Sequence, residues 1–141
     1  MGSIDWNRVN AFETRLGSRL PTDFLATLIN QEPIREGSVA LVAGDRIWDV
    51  RCTFGLEAGH NEDQLDRVYD LVGDVLPPGA LPFAEDWGGN FYCIMLSGPY
   101  VGRVLYWNHE RDAGDHRMES VARSVSEFHA ALVPDRREAG A

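Results

Sequence analysis

Leu81-Pro82-Phe83-Ala84-Glu85-Asp86-Trp87-Gly88-Gly89-Asn90-Phe91-Tyr92-Cys93-Ile94-Met95-Leu96 is the stretch on which the reading of this chain turns. Two apolar runs flank a polar interruption at whose centre Gly88-Gly89 lacks the side chains that resist a sharp reversal. Leu81–Phe83 and Asn90–Leu96 therefore read as strands joined by a turn. In the second strand Phe91, Cys93 and Met95 alternate with Tyr92, Ile94 and Leu96, so both faces are apolar. Gly102–Asn108 repeats the pattern, with Val104 and Tyr106 on one face and Leu105 and Trp107 on the other. Strands of that kind belong in the middle of a sheet covered on both sides.

The covering material is legible further out. Trp6, Val9, Phe12 and Leu16 recur at helical spacing between a candidate N-cap, Asp5, and a stop, Gly17. Thr22 can cap a second helix whose stripe is Phe24, Leu25, Leu28 and Ile29, ending at Asn30. Val39–Val42, the Gly44-Asp45 turn signal and Ile47–Val50 read as a hairpin that Cys52–Leu56 extends. Asn61 with Gln64 opens a third helix bearing Leu65, Val68, Leu71 and Val72, with Asp63 and Arg67 spaced as an i,i+4 pair and Gly73 as the close. Pro77-Pro78-Gly79 is a loop, and residues 109–117 are a polar one. Ser124-Val125-Ser126-Glu127 is a capping-box pattern for a last helix running through Phe128 and Leu132 to Pro134. The expected fold is thus α+β: one domain over residues 1–134, a mixed, mostly antiparallel sheet of five to six strands with helices packed against it, and a flexible tail at 135–141. Trp6, Phe12, Phe24 and Phe128 are expected in the core, and Trp48 either packs inward or stands at the sheet's exposed end.

Composition narrows the function. At 141 residues the chain suits a single domain, and 44% hydrophobic with 25% charged residues argues for a folded one. Lys plus Arg number 13 against 22 Asp plus Glu, a net charge of −9 with a pI near 4.8. A nucleic-acid binder needs a basic stripe, and the nearest basic cluster, Arg136-Arg137, is flanked by Asp135 and Glu138. An acidic surface instead favours association with a basic protein and disfavours anionic membranes. Cys52 and Cys93 are far apart and form no C-x-x-C, which fits reduced, packed thiols in a cytoplasmic protein. No segment approaches the roughly 20 apolar residues of a membrane span.

Three stretches also resemble the SUKH superfamily, which includes the fungal Smi/Knr cell-wall-assembly regulators and many bacterial immunity proteins. Leu20-Pro21-Thr22-Asp23-Phe24-Leu25 is similar to its Leu-Pro-x-Asp-Tyr/Phe helix start. Leu81–Cys93 is similar to its "IPFA-x-(D/N)-x-GGD" run, and Gly102-Arg103-Val104-Leu105-Tyr106-Trp107-Asn108-His109-Glu110 to its "GxVYYWDHE" strand, followed by the helix with Val125, Ser126, Glu127 and Phe128. Asn90 and Asn108 stand where the family often has Asp. The resemblance implies a mixed sheet packed with helices, no shared catalytic activity, and, for bacterial members, neutralisation of polymorphic or contact-dependent toxins that are often nucleases.

The residues offer several chemistries. Glu85 and Asp86 beside Trp87, with Asn90 across the glycine turn, make an anchor for an Arg or Lys of a partner. A glycosidase pair from Glu85 and Asp86 is disfavoured, since adjacent residues on an extended chain point to opposite sides. His109, Glu110, Asp112, Asp115 and His116 concentrate metal-ligand types, but the spacing matches neither H-E-x-x-H nor an EF-hand loop, so a solvated acidic rim is the better reading. Cys93 lies in the most apolar strand, where burial disfavours the thiolate that nucleophilic work with His109 would need. No nucleotide or hydrolase motif is present.

The expectation is therefore a non-catalytic, cytoplasmic immunity-type protein that occludes a basic toxin, such as a nuclease. The partner-binding residues expected are Asp45, Trp48, Asp49, Glu85, Asp86, Trp87, Asn90, Trp107, His109, Glu110 and Asp112. No catalytic residue, cofactor or metal is expected, nor a nucleic-acid or membrane partner, and the chain is expected to be a monomer or a homodimer. The rivals are an intracellular regulatory or scaffold domain of the Smi/Knr type and a small metal-dependent enzyme.

Overall fold

In the computed structural model, residues 5–30, 39–43, 46–56, 64–108 and 118–134 are described. Helix α1 runs Trp6–Leu16; the Asp5 carboxylate accepts the Arg8 N–H at 3.2 Å, and Gly17, at φ 69°, ends it by donating to the Glu13 and Thr14 carbonyls. Helix α2 is Thr22–Asn30. Thr22 is its first residue rather than its cap, because the Leu25 N–H already donates to the Pro21 carbonyl at 2.9 Å. Strands β1, Val39–Ala43, and β2, Arg46–Val50, form the expected hairpin, with Ala43 opposite Arg46.

Beyond Arg51 the chain changes sheets. Strand β3, Cys52–Thr53, does not extend the hairpin but pairs with β4, Ala80–Glu85, which pairs in turn with β5, Phe91–Met95. Strands β6, Val104–Trp107, and β7, Met118–Ala122, complete a sheet in the order β3-β4-β5-β6-β7, antiparallel throughout. Helix α3 occupies Leu65–Val72 with Gly73, as expected, at its C-cap, where its N–H donates to the Tyr69 carbonyl; the chain continues as a 3₁₀ turn at Gly73–Val75. Its N-cap is Gln64, without a side-chain cap bond; Asn61, Asp63 and the ion pair expected of Asp63 lie outside the described residues.

Helix α4 is Val125–Ala130, with Ser124 Oγ accepting the Glu127 N–H at 3.0 Å. The Glu127 carboxylate reaches back to the Arg123 N–H, also at 3.0 Å. The helix stops short of Leu132: Leu132–Pro134 is strand β8, which pairs with β1 to make a second sheet, β2-β1-β8. Pro134 is the last residue of this strand, opposite Val39. The molecule is thus a single α+β domain whose larger sheet has five antiparallel strands. The expected tail at 135–141 lies outside the described residues.

All five residues of β5 are buried, as its two apolar faces required. On one face Tyr92 meets Phe128 at 5.3 Å, Phe128 meets Phe83 at 5.0 Å, and Phe83 meets Phe24 at 5.7 Å, so α2 and α4 are held by edge-to-face and tilted ring contacts. On the other face, Phe91 lies between Phe54 and Trp107. The register shift between Pro82 and Ala84 is a bulge at Phe83. Arg8 clamps α1 to α3 through both Asp66 oxygens, at 2.7 and 2.8 Å. Trp6 is the correction to the expected core: it is 51% exposed, because only Val9 and Phe12 of α1 reach the interior. Leu71 likewise faces out.

Candidate protein-binding site

The turn between β4 and β5 is the most organised polar feature among the described residues. Asp86 turns inward and is buried. Its Oδ1 accepts the Gly88 N–H at 2.9 Å and the Asn90 N–H at 2.8 Å; its Oδ2 accepts Asn90 Nδ2 at 3.1 Å and the Tyr106 hydroxyl. Each of these donors is neutral. Gly89 adopts φ 84°, a conformation that resists a side chain, while a Cβ on Gly88 would sit 3.2 Å from Asn90 Nδ2. Asn90, also buried, closes the loop by accepting the Asp86 N–H at its carbonyl, 3.0 Å.

Strand β2 braces the turn from the second sheet. The Asp49 carboxylate accepts the Trp87 N–H at 2.8 Å, and the Asp49 carbonyl accepts the Tyr92 hydroxyl at 2.6 Å. Trp48, on the opposite side of β2, packs on Tyr106 with ring centroids 4.8 Å apart, and Tyr106 lies 5.2 Å from Tyr92. Burial, then the Asp49 and Asp86 charges, push the Tyr92 phenol far above its ordinary range. Burial and the hydrogen bond to Asp86 do the same for Tyr106. Both hydroxyls therefore remain donors at any physiological pH.

Trp87 is fixed at its backbone. Its neighbours in sequence and its own N–H are tied down, and the indole stands 50% exposed at the tip. Glu85, beside it, is bound to Arg51 through a 2.7 Å ion pair and a 2.8 Å bond from the Arg51 N–H to its carbonyl.

The expected contact residues thus divide. Asp49, Glu85 and Trp87 come together at this end of the sheet with surface to offer. Trp48, Asp86, Asn90 and Trp107 are corrected as direct contacts: all four are buried, with Trp107 stacked on Phe91, and they support the tip from beneath. Asp45, His109, Glu110 and Asp112 lie outside the described residues, as does the possible metal cluster continued by Asp115 and His116. Among the described residues no group of three or more His, Cys, Asp or Glu could hold a metal ion. Cys93 is fully buried and its thiol is pushed well above the usual range by desolvation. No helix among the described residues is long and apolar enough to cross a membrane.

Sequence reasoning missed Tyr92 and Tyr106 as hydrogen-bond donors and Arg51 as the partner of Glu85. The available signal was the tyrosines themselves: a Tyr in a strand buried on both faces needs a partner for its hydroxyl.

Comparison with known proteins places this chain in a family. The profile of the SMI1 / KNR4 family (SUKH-1) matches residues 4–131. The chain is also 33% identical over 124 residues to the SPbeta prophage-derived uncharacterized protein YokK of Bacillus subtilis (strain 168), a match that covers 88% of this chain and 62% of that protein. The chain therefore spans less than two thirds of that relative's length.

Proposed function

The chain belongs to the SMI1/KNR4 family (SUKH-1), and from that premise we propose that it is a non-catalytic immunity-type protein that neutralises a basic protein toxin in the cytoplasm by occluding it. The observation that carries this reading is the β4–β5 turn, where hydrogen bonds from two sheets fix the backbone that presents a half-exposed indole. A rigid aromatic side chain loses little conformational entropy on docking, and such groups dominate interface energetics. The net charge of −9 adds long-range attraction to a cationic partner. Members of this family are generally non-catalytic, in keeping with a thiol at Cys93 that burial holds away from its reactive form.

Co-expression with the protein encoded by the adjacent reading frame tests the reading. The expected result is a purified complex and rescue of growth, with Trp87→Ala weakening the complex by about 30-fold or more, the loss typical of a central aromatic contact. Absence of both complex and protection for the unmodified chain would end it.

A further inference from the structure

We infer that Asp49 and Trp87 together bind one arginine side chain of the partner protein, the guanidinium stacking on the indole and donating to the Asp49 carboxylate. The inference rests on the protein-binding reading above and names the group by which that partner is recognised. Three carboxylates meet at this end of the sheet, and their hydrogen bonds leave them unequal. Asp86 is buried and accepts four bonds from neutral donors, so it has nothing to offer a partner. Glu85 is already answered by Arg51 at 2.7 Å. Asp49 has neither a cation nor a full set of donors: its Oδ2 accepts the Trp87 N–H at 2.8 Å, and no bond among the described residues falls on its Oδ1.

The open acid and the open ring meet at one residue. The Asp49 carboxylate sits a single hydrogen bond from the nitrogen of the residue that carries the half-exposed indole. Asp49 is itself half-buried, and a charge so placed is screened less by solvent and salt than one standing free. Its backbone is held from both sides: the carbonyl accepts the Tyr92 hydroxyl at 2.6 Å, and β2 pairs with β1 through Asp49 opposite Ala40. An acid and a ring positioned before the partner arrives lose little freedom when it docks.

Chemistry selects the occupant. The face of an indole attracts a cation within about 6 Å of its centroid, and a carboxylate with an open oxygen takes a charge-assisted hydrogen bond. A guanidinium does both at once, because it is planar, weakly hydrated and carries its donors in a fixed fork. An ammonium is a compact, strongly hydrated point charge that does not stack. A neutral apolar side chain would cover Asp49 without compensating it, which is costly. An acidic one would be repelled by Asp49 and by the net charge of −9.

The test uses the full chain and the protein encoded by the adjacent reading frame. Affinity is measured by calorimetry for the unmodified chain, Asp49→Asn, Trp87→Leu and the double variant, with circular dichroism to confirm folding. Asp49→Asn keeps an acceptor for the Trp87 N–H while removing the charge, and Trp87→Leu keeps apolar bulk while removing the ring. Asp74→Asn, on the exposed 3₁₀ turn after α3, removes the same charge elsewhere. In parallel the partner's arginines are labelled with phenylglyoxal, free and in complex, and the labelled positions are read by mass spectrometry. The expected result is a loss of at least about 10-fold for each single variant, less than the product of the two for the double variant, and less than about 2-fold for Asp74→Asn. One partner arginine should be protected by the unmodified chain and regain labelling with Asp49→Asn. Unchanged affinity for Asp49→Asn, losses that simply multiply, or protection of no arginine would each overturn the arginine site while leaving the immunity reading intact. Failure of the unmodified chain to bind would remove the immunity reading and this inference with it.

Discussion

Asp86 and Trp87 are adjacent, yet one organises the turn and the other presents it. Removing the Asp86 carboxylate by Asp86→Ala takes the acceptor from four hydrogen bonds, three of them made by Asn90 and Tyr106, in or near the interior. Unsatisfied donors are costly, and we expect a loss of roughly 3 kcal/mol in a urea unfolding experiment. Trp87→Ala should change stability by less than about 0.5 kcal/mol, because the indole is half in water already. Equal stability of the two variants would contradict the division of roles. The Gly88-Gly89 reversal was legible because glycine is locally permissive. Which of Asp86 and Trp87 points inward was not, since strand alternation lapses in a turn and the deciding hydroxyl comes from Tyr106, twenty residues on.

Among the elements, α4 shows both what local pattern can specify and where it stops. Its start was readable because Ser124 and Glu127 cap the chain end through neighbours three and four residues away. Its end was not: Leu132 and Val133 suit either a helix or a strand, and pairing with β1, some ninety residues earlier, selected the strand. Strand β7 escaped notice for a related reason, its edge position leaving Glu119 half-buried and Ser120 exposed and diluting the apolar signal. His129, in the last turn of α4, is partly buried with its ring edge to Phe128, and burial lowers its pKa below the ordinary 6.5. The unfolded chain therefore binds that proton more readily than the folded one, so this contribution to stability is present above about pH 6.5 and is lost as pH falls below it. Replacing it by His129→Gln should make the decline in melting temperature between pH 7 and pH 5 shallower than in the unmodified chain. An identical slope would mean that the imidazole takes up its proton without disturbing the helix.

For the whole molecule, charge and shape answer different questions. Net charge acts over a Debye length, about 8 Å at physiological salt, and bears mainly on encounter rates. Association with a basic partner should therefore slow by about 10-fold or more between 50 and 500 mM NaCl, with a much smaller change in dissociation, as read by stopped-flow fluorescence. A salt-independent association rate would show that the acidic excess serves solubility alone.

Amphipathic period, helix caps, glycine turns and net charge are local or additive properties, and from them the sequence by itself determined an acidic α+β protein with a central sheet buried on both faces. What it could not determine is the division of the strands into two sheets, or the inward turn of Trp48, Trp107 and Asp86. Those features depend on which distant strands pair and in what register, and a shift of one residue would exchange the two faces of a strand. Only the assembled tertiary structure fixes that register, and with it which side chains meet water.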